Sequence, residues 1–100
     1  PQLRSRVDAR ALDRCASMLK AMAHPIRMGI IDLLNNHDRL TVTEIYETMG
    51  LEQAVASHHL GILRDKGILD SSREGKNTFY FLERTEFVTI LNCIQGCAMA

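Results

Sequence analysis

Nowhere in the sequence does an apolar run extend beyond a few residues, so a membrane-spanning helix, which needs about 20 consecutive apolar residues, is not expected. The opening PQLRSRVDAR carries charge from the outset, which argues against a signal peptide and for a cytoplasmic protein. Cysteines number three, an odd count without Cys-rich spacing. That argues against a secreted disulfide framework and for free thiols in a reducing compartment. An excess of positive charge is also missing: twelve Lys and Arg balance twelve Asp and Glu. Neutrality is unfavourable for a nucleic-acid binder, whose phosphate contacts need cations, without excluding one. There is no internal repeat, low-complexity tract or Pro/Gly/Ser linker, so residues 1–100 read as a single domain. A chain of this length buries roughly 60 to 70% of its unfolded surface, so one core suffices without staples. A nucleophile motif, a phosphate-cradling glycine loop and paired acids are absent as well, and no enzyme is expected.

What is present is helical periodicity followed by a switch to alternation. The segment from about 8 to 22 places Leu12, Cys15, Leu19 and Met22 at helical spacing, and AHPIRMGIIDLLNN sets Pro25 in a first turn ahead of Ile26, Ile30, Leu33 and Leu34. Arg39 to Thr41 suits a short extended segment. Thr41 and Glu44 then form an S/T-x-x-E capping box, Ile45 and Met49 give a short third helix its apolar face, and Gly50 supplies a left-handed stop. Only Leu51 and Glu52 intervene before QAVASHHLGILRDKG, in which Ala56, Leu60 and Leu63 line one face and Gly67 ends the run. Two short helices across so brief a turn make a helix-turn-helix over about 42–66. ILDSSR and NTFYFL flank Glu74, Gly75 and Lys76 and alternate in polarity, giving a β-hairpin over about 68–82. A last helix over about 85–96, capped by Thr85 and ended at Gly96, carries Phe87, Ile90, Leu91 and Ile94. The order α-α-α-α-β-β-α is that of a mainly α winged helix-turn-helix domain with a small β-hairpin wing.

At this level of detail LKAMAHPIRMGIIDLL, TVTEIYETMGLEQAVASHHLGILRDKGIL and SSREGKNTFYFL resemble the arsenic-repressor (ArsR/SmtB-like) family of bacterial winged-helix regulators. Gln53, Ser57, His59, Leu60, Leu63 and Gly67 stand where that family shows Q-x-x-x-S-x-H-L-x-x-L-x-x-x-G, and REGKNTFYFL resembles its R-E-G-R wing running into Y-x-L. The resemblance implies a homodimer joined through the first and last helices, here Leu12, Leu19, Phe87, Leu91 and Ile94, repressing transcription until an effector binds. Phe81 occupies a place where the family is usually polar.

In a recognition helix the N-terminal residues face base edges while the opposite stripe faces the core. With Ala56, Leu60 and Leu63 as the core stripe, Gln53, Ala54, Ser57, His58 and Gly61 fall toward double-stranded DNA, and a two-fold dimer would read a near-palindromic operator. Gln53 is able to take adenine bidentately and Ser57 to donate to a base or a phosphate. Val55 is either buried or against a thymine methyl. Arg73 and Lys76 either grip the phosphate backbone or form a solvated turn, and Arg4, Arg6, Arg10 and Arg14 form either a basic stripe or plain solubilising charge. His59, at the border of the two faces, is expected to pack or hydrogen-bond within the domain. The His58–His59 pair makes a poor metal site, because adjacent helical residues diverge by about 100°. A winged-helix module for protein contacts, without sequence-specific DNA binding, is the alternative that neutral charge and Gly61 would suit.

The family's effector sites do not carry over. Tyr46 and Thr48 stand where many relatives have C-x-C on the third helix, and none of the four histidines lies beyond residue 59, so Asp and His pairs on the final helix are missing too. Cys15, Cys93 and Cys97 remain. They would either pack inertly in the core or gather into a thiol pocket for a thiophilic metal ion or an oxidant. A thiol enzyme is disfavoured, since no His or Asn partner is spaced recognisably near a cysteine.

Overall fold

The computed structural model describes residues 9–99. Five helices and three strands follow in the order α1 (Ala9–Met22), α2 (Pro25–Asn35), β1 (Leu40–Thr41), α3 (Val42–Met49), α4 (Gln53–Asp65), β2 (Leu69–Glu74), β3 (Asn77–Leu82) and α5 (Glu86–Ala98). The short extended segment before α3 is a strand of the sheet. It pairs antiparallel with β3 through Leu40↔Tyr80 and Thr41↔Phe79, and the strand order is β1-β3-β2. The expected element order therefore gains one strand. Two residues carry too little pattern to declare a sheet strand rather than an extended stretch, and it is β3 that supplies their partners.

Local chemistry sets most boundaries. His24 caps α2, its Nδ1 accepting from the Ile26 N–H at 3.1 Å, and Pro25 follows where its missing N–H costs nothing. At α3 the Thr41 hydroxyl accepts from the Glu44 N–H at 3.1 Å, and the Glu44 carboxylate accepts from the Thr41 N–H at 2.9 Å. Those bonds, backbone first, hold the Glu44 carboxyl below its ordinary pKa. Gly50, at φ 65°, and Gly67, at φ 74°, end α3 and α4 with the same device. In each, the N–H after the glycine reaches back five residues, Leu51 to Tyr46 and Ile68 to Leu63, closing the last turn. The wing turns on Gly75 and Lys76 between the paired Glu74 and Asn77, with positive φ at Gly75 alone, the pattern of a type II′ hairpin.

One boundary and one cap bond differ from expectation at α5. The helix passes through Gly96 to Ala98, because a glycine inside a helix only weakens it by about 1 kcal/mol. Thr85 occupies the cap position, yet its side chain makes no cap bond.

The core gathers Ile30, Ile31 and Leu34 of α2, Ile45 of α3, Leu60 and Leu63 of α4, Ile68 and Leu69 entering β2, and Tyr80 of β3. Phe87 and Leu91, expected at a subunit interface, belong to this core and are 6% and 8% exposed within the single chain. α5 thus turns Phe87, Val88 and Leu91 inward and leaves Ile90 and Ile94 outside. Phe81 is half-buried rather than exposed. Beside it the Arg39 guanidinium lies over the Phe79 ring, 3.9 Å from the centroid, and pairs with Glu74 across the sheet.

The caps differ in what they contribute. Thr41→Ala is expected to cost about 1 kcal/mol in urea denaturation, whereas Thr85→Ala, which removes no cap bond, should stay within about 0.5 kcal/mol of the parent.

Candidate nucleic-acid interface

α4 has three sides. Its buried side is Ala56, His59, Leu60 and Leu63, packed against α1, α2, α3 and β2. At about 100° per residue, Ala54, His58 and Gly61 lie opposite that side, and Gln53 and Ser57 turn toward one flank. Gln53, Ala54, Ser57 and His58 are all exposed, and Val55 is exposed as well, so it is a surface residue rather than a core one.

On the flank, Gln53 and Ser57 share a groove of about 240 Å³ with Lys76, Thr41, Val42, Thr43, Asn77 and Thr78. Three elements meet there: the first turn of α3, the first turn of α4 and the turn of the wing. Besides Val42, its lining is hydroxyls, carboxamides and one ammonium, with no carboxylate, a combination suited to an anion. The fold therefore brings Gln53, Ser57 and Lys76 together and leaves Ala54 and His58 on the outer stripe. Arg73 is exposed on β2 opposite Thr78, outside the groove lining. Thr43, Asn77 and Thr78 were not foreseen, although the capping box at Thr41 and the two-residue turn at Gly75 carried the signal for all three. Arg39 had no such signal, since its partner Glu74 lies 35 residues away.

The two adjacent histidines separate as the periodicity predicts. His58 is exposed, while His59 is buried with its ring 4.5 Å from that of His24 and its Nδ1 3.1 Å from Nη1 of Arg27. Among the described residues no group of three or more His, Cys, Asp or Glu side chains could hold a metal ion. Cys15, Cys93 and Cys97 are all exposed, so the core-packing expectation fails and a three-thiol pocket is not formed within one chain. Because α5 is continuous to Ala98, Cys93 and Cys97 do lie one turn apart on one face. Of the four arginines near the start, Arg10 and Arg14 are exposed on α1, and Arg4 and Arg6 lie outside the described residues.

A separate apolar surface runs along α1 and α5. Leu19 and Ile94 are 50% and 53% exposed, with Leu12 and Ile90 beside them. Leu19, Met22, Ala23, Met28, Ile90, Leu91 and Ile94 line a cleft of about 250 Å³.

Residues 22–72 match the model of a helix-turn-helix domain family. The regulator NmtR of Mycobacterium tuberculosis is 36% identical over 86 residues, covering 86% of this chain and 71% of that protein. The transcriptional repressor PagR of Bacillus anthracis is 33% identical over 93 residues, covering 90% of this chain and 93% of that protein. The chain belongs to the arsenic-repressor family of winged helix-turn-helix regulators. Among solved structures, a homodimeric winged helix-turn-helix DNA-binding domain from Mycobacterium bovis, described as a possible ArsR-family regulator, superposes with a TM-score of 0.80. It is 28% identical and covers 98% of this chain and 90% of that one. No helix among the described residues is long and apolar enough to cross a membrane.

Proposed function

We propose that this protein is a homodimeric transcriptional repressor that blocks a near-palindromic operator in double-stranded DNA and is released by an effector. The observation that carries this reading is the convergence of Gln53, Ser57 and Lys76 in one polar groove beside the exposed outer stripe of α4. In it, Ala54 and His58 meet base edges in the major groove, while Gln53, Ser57, Lys76 and Arg73 hold the sugar-phosphate backbone. Small residues at 54 and 61 let the helix seat deeply, and His58 then carries the hydrogen-bonding readout. Occlusion of a promoter needs no reaction step, and the named relatives are likewise regulators.

Duplexes enriched by the protein from a random-sequence pool should be near-palindromes with half-sites about one helical turn apart or a multiple of it. His58→Ala should weaken the enriched duplex far more than random DNA. Lys76→Ala should weaken both alike and reduce the salt slope by about one. Failure to enrich any sequence would reject the reading in favour of a module for protein contacts.

The exposed stripe of Leu12, Leu19, Ile90 and Ile94 is of the kind that marks an interface, and it supports a symmetric dimer through α1 and α5. Leu91→Glu would place a charge in the core, so the informative variant is Leu19→Glu with Ile94→Glu. Sedimentation should show that double variant as a folded monomer and the parent as a dimer; a parent already monomeric at micromolar concentration would contradict the assignment.

For the effector we propose the thiols of Cys93 and Cys97. Two thiols displace two hydroxides from arsenite as water without any change of oxidation state, and peroxide takes two electrons from the same pair to leave a disulfide and water. Arsenite, copper(I) or peroxide should lower affinity for the enriched duplex in the parent and in Cys15→Ser, and should not in Cys93→Ser or Cys97→Ser. Equal affinity with and without all three agents would remove the thiols from regulation.

A further inference from the structure

Arg27 of α2 joins two other elements, α1 and α4. Its Nε donates to the Ala21 carbonyl in the last turn of α1, and its Nη1 faces Nδ1 of His59, in the middle of the recognition helix, at 3.1 Å. A guanidinium only donates, so Nδ1 must accept, which requires a neutral imidazole with its proton on Nε2. His24 faces the same ring at 4.5 Å, and its own Nδ1 is already occupied as the acceptor that caps α2. His58 lies edge-on at 5.1 Å. Among the described residues, the charged or titratable groups acting on His59 are Arg27 of α2, His24 at the cap of α2 and His58 on its own helix, with α1 contributing the Ala21 carbonyl through Arg27 and no carboxylate offsetting them. Burial, followed by His24, Arg27 and His58, pushes the His59 imidazole below its ordinary pKa.

We propose that Arg27 is a positioning residue for DNA binding, tying the recognition helix through His59 to the junction of α1 and α2, and that a proton on His59 undoes the tie. The inference rests on the repressor reading and names a regulation of its site. A proton on Nδ1 removes the acceptor and sets a second positive charge against the guanidinium, with the His24 ring also within 4.5 Å. The recognition helix then keeps its apolar packing but loses the bond that fixes it relative to α1, the helix assigned to the dimer interface. The sign follows from the lowered value. The tie holds while the folded-state imidazole is neutral, through and below the ordinary range of about 6.5, and is lost as pH falls through the lowered folded-state value. A variant that silences His59 alone, leaving the other histidines in place, is needed to read the effect.

His59→Gln provides it, because the Gln carbonyl can accept from Arg27 and does not titrate. Affinity for a duplex enriched by the parent at about pH 7.5 is measured by anisotropy from about pH 7.5 to 5.5 for parent, His59→Gln and Arg27→Lys. The parent should lose at least about fivefold more affinity on acidification than His59→Gln, the lower end of an ordinary coupling between sites. Arg27→Lys, which cannot reach both partners, should bind weakly already at the higher pH and show no extra loss. Parallel curves for parent and His59→Gln across the pH at which the His59 ring protonates, followed by nuclear magnetic resonance and with the titration extended downward to reach it, would overturn the proposal. Should the Gln variant not fold, or no duplex be enriched, nuclear magnetic resonance on the free parent decides. The His59 ring should be the Nε2–H tautomer, and its protonation should move the amide resonances of Ala21 to Ala23 and Gln53 to Ser57 with the same midpoint. Movement confined to the His59 ring would also overturn it. Absence of an enriched duplex by itself counts against the repressor reading, not against the tie.

Discussion

Burial of one stripe of α4 is the constraint on which the rest of the structure depends. Ala56, Leu60 and Leu63 are fully buried, the two leucines in one cluster with Ile30, Ile31 and Ile45, and burying a leucine side chain contributes about 1.5–3 kcal/mol. Once that stripe is fixed, the helix has no rotational freedom left, and the direction of every other residue on it follows. The outer stripe of Ala54, His58 and Gly61 is outward because its opposite is inward. Recognition chemistry is thus a by-product of packing, and a change in the core that rotated α4 by a fraction of a turn would exchange one set of outward residues for another.

The groove beside α4 depends on a second kind of constraint, the stopping of helices. Gly50 and Gly67 close α3 and α4 with left-handed turns, which brings the first turn of α4 beside that of α3 and sends the chain directly into β2. Arg39, stacked on Phe79 and paired with Glu74, then braces the strands of the wing at the end that carries Lys76. The wing lysine reaches the groove from a sheet held at both edges rather than from a free loop.

Most of this was legible in the sequence because it is local. Thr41 with Glu44, Gly50, Gly67 and the alternation from Thr78 to Leu82 each declare themselves within a few residues, and the family pattern from Gln53 to Gly67 falls on the helix that periodicity had already drawn. What was misread is non-local. Phe87 and Leu91 share an apolar face with Ile94 in any helical projection, and only the placement of α2 against α5 divides that face into a core part and an exposed part. β1 exists because β3 passes beside it, and Arg39 matters because of a glutamate far along the chain. Cys15 falls on the apolar stripe of α1 by spacing, yet that helix covers only part of its stripe with its own chain. Gly96 misled for a different reason: glycine permits a stop without imposing one.

The two-residue strand β1 has a consequence for which side chains its last position will accept. Thr41 pairs with Phe79 in the sheet, caps α3 with its hydroxyl and lines the groove, all at once. Strand geometry favours a β-branched residue, which argues against Asp, Asn and Ser; capping demands a short oxygen acceptor, which rules out Val and Ile; and a groove shaped for an anion disfavours Asp a second time. Threonine alone meets the three demands together. A library randomised at this codon should therefore converge on one amino acid where most surface positions would tolerate many.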